Sequence, residues 1–179
     1  MKTTTMLRDT VVLVDPQDCE IGTLDKLSAH SGRGMLHRAI SVFLTDEKGR
    51  VLMQKRHPDK LVWGGYWSNS CCTHPFVGES TIDCATRRVR EELGLSVELT
   101  FHFKLKYQAS FSKEHAEHEL VSVFTGITQR QPVIDRDEIS ELMWIEPEKL
   151  SQELVTKPDD YTPWCILEWK ELLAQKLLR

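Results

Sequence analysis

The sequence lacks a long apolar run and a regular cysteine framework, and both absences restrict the class of protein. No stretch of about 18 apolar residues is present to span a membrane. The first ten residues, MKTTTMLRDT, also lack the apolar segment of a signal peptide. The five cysteines form an odd set without framework spacing, and Cys71 and Cys72 are adjacent, which disfavours a disulfide scaffold. We therefore expect a soluble protein of a reducing compartment, the cytoplasm.

The chain also lacks an excess of basic charge. Its formal net charge of −4 gives no general reason to bind nucleic acid or an anionic membrane. A length of 179 residues with 40% hydrophobic residues predicts a single domain over residues 1–179 with a sizeable core. We expect a monomer or a weak dimer.

Short apolar runs bounded by turn residues predict that strands dominate the middle of the chain. The predicted strands are Val11–Val14, Ile21–Leu24, Ala39–Leu44, Val51–Lys55, Leu95–Leu99, Phe101–Tyr107 and Glu119–Gly126. The second strand is expected to pair back onto the first, and the third and fourth to form a hairpin across a Gly-containing loop.

Two helices are predicted from capping signals. Ser80 is an N-cap with Asp83 at the capping-box position, and Gly94 ends that helix. Its predicted buried stripe is Ile82, Ala85, Val89 and Leu93. Thr162 and Pro163 open a C-terminal helix, whose predicted stripe is Ile166, Trp169, Leu173 and Leu177. Strands with an inserted helix indicate an α+β fold with a mixed sheet.

Residues 67–94 place a thiol and a metal-binding side chain close to a carboxylate pair. In an extended segment, side chains two residues apart point to the same side. Cys72 and His74 should therefore share a face, while Cys71 points away. Glu91 and Glu92 follow on the predicted helix. This arrangement predicts a site in which a metal lies beside a nucleophile or an acid.

Further candidate ligands lie outside this segment. Glu117 and Glu119 alternate in a predicted strand, so their carboxylates would repel unless a cation or proton lies between them, although a solvated edge strand explains the pattern equally well. His30 and His37 are seven residues apart, and the glycines between them favour a loop. Three histidines and two glutamates suit zinc, manganese or iron(II). The other histidines have no comparable context: His57, His102, His115 and His118.

A group of basic residues offers a site for an anionic ligand. Lys55, Arg56 and Lys60 surround the end of a predicted strand, and Lys26 precedes His30. Such a group is usually a solvated face. Beside a bound divalent cation it would instead form a cradle for a diphosphate. Arg88 and Glu92 are four residues apart on one helix face and are expected to meet there.

The helix and its approach resemble the Nudix box, in which conserved glutamates bind magnesium and activate water. Aligned on Glu91–Leu95, Arg87 matches the box arginine and Glu79 its first glutamate. Thr73 replaces the first glycine, and Arg88 replaces the glutamate that follows the box arginine. The second replacement argues against hydrolysis.

A second resemblance accounts for these departures. The chain resembles type I isopentenyl-diphosphate delta-isomerases over roughly residues 22–124, with a further match at residues 161–164. The matching segments are GTLDKLSAHSGRGMLHRA, KRHPDKLVWGGYWSNSCCTHP, GES, RRVREELG, Tyr107 and HAEHE. The resemblance implies a Nudix-like mixed sheet flanked by helices, with a core at about residues 37–148, an N-terminal extension and a C-terminal helix. It also implies metal-dependent interconversion of isopentenyl and dimethylallyl diphosphate through a carbocation-like intermediate, in isoprenoid biosynthesis.

The resemblance implies a role for each matching residue. Cys72, Glu119 and Tyr107 are the implied catalytic groups. A site for Mn²⁺, Zn²⁺ or Mg²⁺ is implied at His30, His37, His74, Glu117 and Glu119. The implied diphosphate contacts are Lys26, Arg56, Lys60 and Arg88, with Glu92 on a Mg²⁺ ion bound to the diphosphate. Trp67 and Trp164 are candidates to face the cation, whereas Trp63 and Trp169 are expected to pack in the core.

Two other functions stay open at this point. A Nudix-type diphosphohydrolase would need the missing box glutamate at position 88. A non-catalytic module for a metal or a diphosphate would bind its ligand without turnover, and the thiol of Cys72 would be inert.

Overall fold

The computed structural model describes residues 9–178, so most of the N-terminal peptide considered above lies outside the described residues. Within them the chain forms nine strands, four α-helices and one 3₁₀ turn. The elements are β1 Thr10–Val14, β2 Glu20–Asp25, α1 Lys26–Ala29, β3 His37–Thr45, β4 Val51–Arg56, β5 Trp67–Ser68, β6 Cys71–Thr73, α2 Thr81–Leu93, β7 Thr100–Ser110, β8 Ala116–Ile127, β9 Ile139–Ile145, α3 Pro147–Thr156, the 3₁₀ turn Pro158–Asp160, and α4 Pro163–Ala174.

The strands form a mixed sheet, which confirms the predicted α+β class. At its centre β3 runs parallel to β8, from the pair His37–Glu119 to the pair Thr45–Ile127. All other paired named strands are antiparallel: β1 with β2 and β3, β3 with β4 and β6, β4 with β5 and β9, and β7 with β8. The predicted return of β2 onto β1 is confirmed.

The two faces of the sheet bury different helices. Ile40, Val42 and Leu44 of β3 pack in one cluster with the buried side of α2. The alternating residues Ala39 and Phe43 belong to a second cluster, which contains the buried residues of α3 and α4. This division follows from the alternation of side chains along a strand. It places each odd-numbered residue of β3, including His37, on the side of α3 and α4.

Helix α2 begins and ends as predicted. The Asp83 amide donates a hydrogen bond to Ser80 Oγ (3.2 Å), and Gly94 ends the helix in the left-handed conformation with φ of 64°. The buried face includes Ala85, Val89 and Leu93. Ile82 does not belong to it, because 40% of this residue is exposed in the first turn of the helix.

Two other predictions were wrong in whole or in part. Residues 95–99 pair with no strand, and β7 begins only at Thr100. Leu95 is instead buried in the core cluster beside α2. The apolar pattern of residues 95–99 therefore reflects packing against the core and not pairing with another strand. In α4 the predicted stripe is confirmed at Trp169, and Ile166 and Leu177 pack partly buried against the same core cluster, but Leu173 is 43% exposed and the helix ends before Leu177. The buried face consists of Trp164, Cys165, Glu168, Trp169 and Leu172.

No helix within residues 9–178 is long and apolar enough to cross a membrane. All five cysteines lie in this part of the chain and are free thiols, with Cys19 exposed and Cys71, Cys84 and Cys165 buried.

The buried face of α2 generates a stability prediction. Replacing Leu93 by alanine removes a fully buried side chain, so we expect a loss of about 2–5 kcal/mol in the free energy of unfolding. Ile82→Ala is the matched control on the same helix, with an expected change of about 0.5 kcal/mol or less. Urea denaturation measures both. Equal losses in the two variants would contradict the assignment of the buried face.

Candidate active site

A cavity of about 170 Å³ opens where β3 and β8 begin and β4 ends. The sequence-predicted side chains that line it are Lys26, His30, Arg56, Lys60, Cys72, His74, Arg88, Glu92, Tyr107, Glu117, Glu119 and Trp164. His37 does not line the cavity. It is fully buried, and its Nε2 lies 3.0 Å from Nε2 of the lining residue His74. Residues up to 138 positions apart in the chain, Lys26 and Trp164, therefore meet in one site.

The five predicted His/Glu ligands converge. Each offers one ligand atom, and these atoms all lie within 4.8 Å of one another. The parallel pairing of β3 with β8 places His37 beside Glu119, and Glu117 lies two residues earlier on the same face. His30 ends α1, and His74 follows β6. The predicted loop between His30 and His37 is confirmed, because α1 ends at Ala29.

The hydrogen bonds of the cluster favour a cation at its centre. His30 Nδ1 donates to the Lys26 carbonyl (2.6 Å) and His37 Nδ1 to the Met35 carbonyl (2.7 Å). In the neutral rings this leaves both Nε2 atoms as acceptors directed into the cluster. His37 Nε2 lies only 3.0 Å from His74 Nε2, a separation that requires a shared proton or a cation. The described residues therefore fit a metal ion.

The charge states of His74 and Glu119 agree with this fit. Burial lowers the pKa of His74 well below its ordinary value, so its imidazole is neutral near neutral pH. Burial alone would raise the pKa of Glu119, but the adjacent imidazoles of His37 and His74 hold it well below its usual range. Neutral imidazoles and ionised carboxylates are the forms that bind metals. Because β8 is paired on both sides, the alternative of a solvated edge strand is wrong.

The thiol of Cys72 faces the cavity, while Cys71 is buried in the cluster beside α2, as the spacing predicted. Arg56 Nη1 donates to Cys72 Sγ at 3.5 Å. Burial raises the pKa of the Cys72 thiol to about 12, although the positive charge of Arg56 opposes this, so the thiol keeps its proton near neutral pH.

Tyr107 extends the site on the other side of β8. It is the cross-strand neighbour of Glu119, and its hydroxyl donates to Glu119 Oε2 at 2.5 Å. Glu119 therefore accepts hydrogen bonds on both oxygens, since His74 Nε2 lies 2.8 Å from its Oε1. Its carboxylate is held in one orientation within the cavity.

A second wall of the cavity is basic. Lys26, Arg56, Lys60 and Arg88 line it together, so these side chains do not form a fully solvated face. Nε of both arginines is buried without a hydrogen-bonding partner among the described residues. Burial, and then the positive charge of Lys60, lowers the pKa of Lys26. Cations held this close together would bind an anion of high charge.

Arg88 occupies the position of the missing box glutamate and contacts several carboxylates. It forms ion pairs with Glu91 (2.8 Å) and Glu138 (3.3 Å) and, as predicted, with Glu92. The box arginine itself, Arg87, pairs with Glu79 at 2.7 Å and shares Glu91 with Arg88, at 3.2 Å. The carboxylates that a hydrolytic box uses are thus bound to arginine side chains.

The two predicted tryptophans occupy different positions. Trp164 lines the cavity, and the Arg56 guanidinium lies 5.2 Å from the centre of its ring. Trp63 packs edge-on against Trp164 with ring centres 5.3 Å apart, and it belongs to the core as expected. Trp67 is not among the residues that line the cavity, and Lys55 lies 5.7 Å from the centre of its ring.

Two glutamates of this region were missed by the sequence analysis. Glu138 lines the cavity and pairs with Lys60 and Arg88. Glu138 lies just before β9, which pairs with β4. The sequence points to its place near Lys60 only if that pairing is already known. Glu168 is fully buried on α4, where a hydrophobic pattern search excludes charged residues.

Comparison with known proteins finds a family model and relatives that match most of the chain. A sequence model of the NUDIX domain matches residues 35–165. The chain is 39% identical to isopentenyl-diphosphate Delta-isomerase 2 of Aromatoleum aromaticum, covering 88% of this chain and 83% of that protein. It is 40% identical to the isopentenyl-diphosphate Delta-isomerase of Pectobacterium atrosepticum, covering 90% of each chain.

Solved structures agree on the fold alone. The crystal structure of the MutT protein from Methanosarcina mazei aligns with a TM-score of 0.64 at 18% identity, covering 80% of this chain and 96% of that one. The MutT NUDIX hydrolase from Burkholderia pseudomallei aligns with a TM-score of 0.59 at 17% identity, covering 76% of this chain and 97% of that one. These similarities confirm a Nudix-type α+β fold.

The geometry of the His/Glu cluster generates a prediction of metal binding. Chelator-treated protein should bind a divalent ion such as Zn²⁺, and a metal concentration 100-fold above the dissociation constant should raise the free energy of unfolding by about 2.7 kcal/mol. His37→Ala removes a central ligand atom and should abolish most of this gain. His102→Ala, whose ring contacts Thr125 outside the cluster, is the control. Equal gains in both variants would place the metal elsewhere.

Proposed function

The chain belongs to the isopentenyl-diphosphate Delta-isomerase family and contains a NUDIX domain, and from this premise we propose how its cavity performs the isomerisation. It is an isomerase of isoprenoid biosynthesis. The proposed substrate is isopentenyl diphosphate, and the product is dimethylallyl diphosphate. One observation carries the mechanism: the thiol of Cys72 and the carboxylate of Glu119 line the same cavity as the cationic residues that suit a diphosphate.

The basic wall is proposed to bind the diphosphate end of the substrate. Lys26, Arg56, Lys60 and Arg88 provide four basic side chains in the lining of the cavity. Charge-assisted hydrogen bonds from such groups to phosphate oxygens are among the strongest in proteins. A Mg²⁺ ion bound together with the diphosphate would be held on the protein side by Glu92, which also lines the cavity.

The His/Glu cluster is proposed to hold a second divalent ion. His30, His37, His74, Glu117 and Glu119 form a nitrogen and oxygen donor set that suits Mn²⁺, Zn²⁺ or Mg²⁺. When bound, such an ion supplies a fixed positive charge that orients the Glu119 carboxylate and biases its protonation. Tyr107 holds the second oxygen of Glu119 by its hydrogen bond.

The reaction exchanges two protons and leaves the diphosphate intact. Moving the double bond inward adds one proton to the terminal alkene carbon and removes another from the carbon on the opposite side of the tertiary centre. The resting states of the cavity, a protonated thiol on Cys72 and a carboxylate on Glu119, provide one donor and one acceptor. We propose that these two groups act from opposite faces of the C5 unit, one at each end of the allylic system.

The tertiary carbocation formed by protonation needs a wall that stabilises positive charge without attacking it. Trp164 lines the cavity and is buried, so its ring face is desolvated. A cation over an aromatic face gains roughly 0.5–2 kcal/mol, with the higher values at desolvated sites. Of the two tryptophans considered from the sequence, Trp164 is therefore the better candidate, because Trp67 does not line the cavity.

Hydrolysis and simple binding have less support. Arg88 stands where a Nudix hydrolase carries a box glutamate, and it pairs with Glu91, Glu92 and Glu138. A binding module gives no reason for a thiol and a carboxylate to line one cavity. The proposed reaction uses only groups within residues 9–178 and needs no nucleic acid, membrane or partner chain. The five free thiols support a reducing compartment such as the cytoplasm.

Proton and phosphorus NMR of isopentenyl diphosphate with the enzyme and magnesium in deuterated water tests the proposed reaction. We expect dimethylallyl diphosphate with deuterium in a methyl group and an intact diphosphate, because the added proton comes from solvent-exchangeable groups of the protein. Release of phosphate without movement of the alkene would instead identify a hydrolase. An unchanged spectrum after addition of zinc and manganese would support the binding module.

Substitution of the two proposed acid/base groups tests their roles. Cys72→Ala and Glu119→Gln should each remove nearly all turnover, beyond the loss of about 10²–10⁴ typical for one general acid or base, because no other described group is placed to replace either. The matched controls are the exposed residues Cys19→Ser and Glu98→Gln, which should keep wild-type rates. Substantial activity in either cavity variant would refute the assignment of that residue.

A further inference from the structure

Glu168 is a buried carboxyl group that the proposed reaction does not use. It lies on the inner face of α4 and has no exposed surface. Its Oε2 accepts a hydrogen bond from Ser41 Oγ at 2.5 Å, and its Oε1 has no hydrogen-bonding partner among the described residues. Among residues 9–178, no ion pair includes Glu168. A buried carboxyl without a cationic partner is costly, so its presence calls for a physical explanation.

The hydrogen bonds around Glu168 form a relay that returns to its own helix. Ser41 Oγ accepts from Asn69 Nδ2 at 2.7 Å. Asn69 Oδ1 in turn accepts from the indole Nε1 of Trp164 at 3.2 Å. Trp164 and Glu168 are four residues apart on α4 and therefore lie on the same side of the helix. The relay thus links the two ends of one helical turn through a strand and a loop.

The relay reaches the cavity wall at Trp164 and lies beside it at Ser41. Trp164 lines the cavity, and Ser41 is the cross-strand partner of Cys72 in the pairing of β3 with β6. Asn69 also donates to the Cys71 carbonyl at 2.8 Å, so it attaches the chain that carries the thiol to the same network. Ser41, Asn69 and Glu168 are all fully buried, which limits exchange of these hydrogen bonds with water.

Burial also determines the charge of Glu168. Burial raises the pKa of this carboxyl well above its usual range, and the negative charge of Glu119 adds to the effect, whereas the hydrogen bond from Ser41 opposes it. Glu168 is therefore a neutral carboxylic acid near neutral pH. A neutral acid has the shape and the acceptor oxygen that the relay needs, without placing a second negative charge beside the cavity.

We propose that Glu168 is a positioning residue, which as a neutral carboxylic acid fixes Ser41 and Asn69 and through them holds the indole of Trp164 against the cavity. This proposal rests on the proposed function, because the orientation of Trp164 matters only if a cation forms beside it. A displaced aromatic wall would stabilise the cation less while leaving diphosphate binding unchanged. Glu168 is thus expected to influence the rate of turnover rather than the affinity for substrate.

Three variants test the relay. Glu168→Met removes the polar group at similar volume, Glu168→Gln keeps a neutral acceptor, and Ser41→Ala breaks the next hydrogen bond. We measure kcat and KM, and the indole N–H resonance of Trp164 in the substrate-free protein, assigned with Trp164→Phe. Glu168→Met and Ser41→Ala should lower kcat by about tenfold to a hundredfold with little change in KM, and should shift the indole resonance. Glu168→Gln should retain both kcat and the resonance.

Other outcomes overturn the proposal. A wild-type kcat and an unshifted indole in Glu168→Met would show that the relay does not hold Trp164. A Glu168→Gln variant as impaired as Glu168→Met would show that a negative charge, and not a neutral acid, is required. If Glu168→Met fails to fold, Ser41→Ala decides by the same two measurements. Absence of turnover in the wild-type enzyme would refute the proposed function, while the indole resonance would still test the relay.

Discussion

The parallel pairing of β3 with β8 is the constraint on which the rest of the site depends. It places His37 directly beside Glu119, and the pairing of β7 with β8 places Tyr107 on the other side of the same glutamate. Because side chains alternate along a strand, a slip of one residue would turn Glu117 and Glu119 towards the face covered by α2. The His/Glu cluster, the cavity and the orientation of Glu119 would be lost together. The apolar residues of β3 and β8, which pack in the two clusters on opposite faces, resist this slip.

The site is stable because opposite charges lie close together in it. Buried charges are tolerated only with partners. The Glu119 carboxylate accepts hydrogen bonds from His74 and Tyr107, and the Arg88 guanidinium is paired with Glu91, Glu92 and Glu138. Arg88 at the position of a box glutamate therefore changes the charge of the whole helix face. The neighbouring carboxylates are paired with its guanidinium, and this cation lines the cavity. A diphosphate would compete with these carboxylates for the same cations.

Much of this architecture was predictable from local sequence, and the failures share one cause. Capping signals located α2, and alternation paired Cys72 with His74 and Glu117 with Glu119, because these features depend on near neighbours in the chain. The strand expected at residues 95–99 was wrong, since packing of Leu95 against the core replaces ladder pairing. The stripe on α4 was wrong in part because its buried face includes the carboxyl of Glu168. Glu138 was missed because its cationic partners come from distant segments. Tertiary contacts decide all three cases.

The fold is shared with hydrolases, so the difference in chemistry must come from what surrounds the reacting carbon. Hydrolysis requires an activated water beside the diphosphate, whereas isomerisation requires that water be absent from a carbocation. In the proposed reaction, the groups that serve the second requirement are a protonated thiol, an oriented carboxylate and a buried indole, none of which has to supply water. Trp164 contacts Trp63 edge-on, lies near Arg56 and is hydrogen-bonded through Asn69. We propose that a wall fixed from several sides limits the entry of water, and that this rigidity favours isomerisation over hydrolysis on a shared fold.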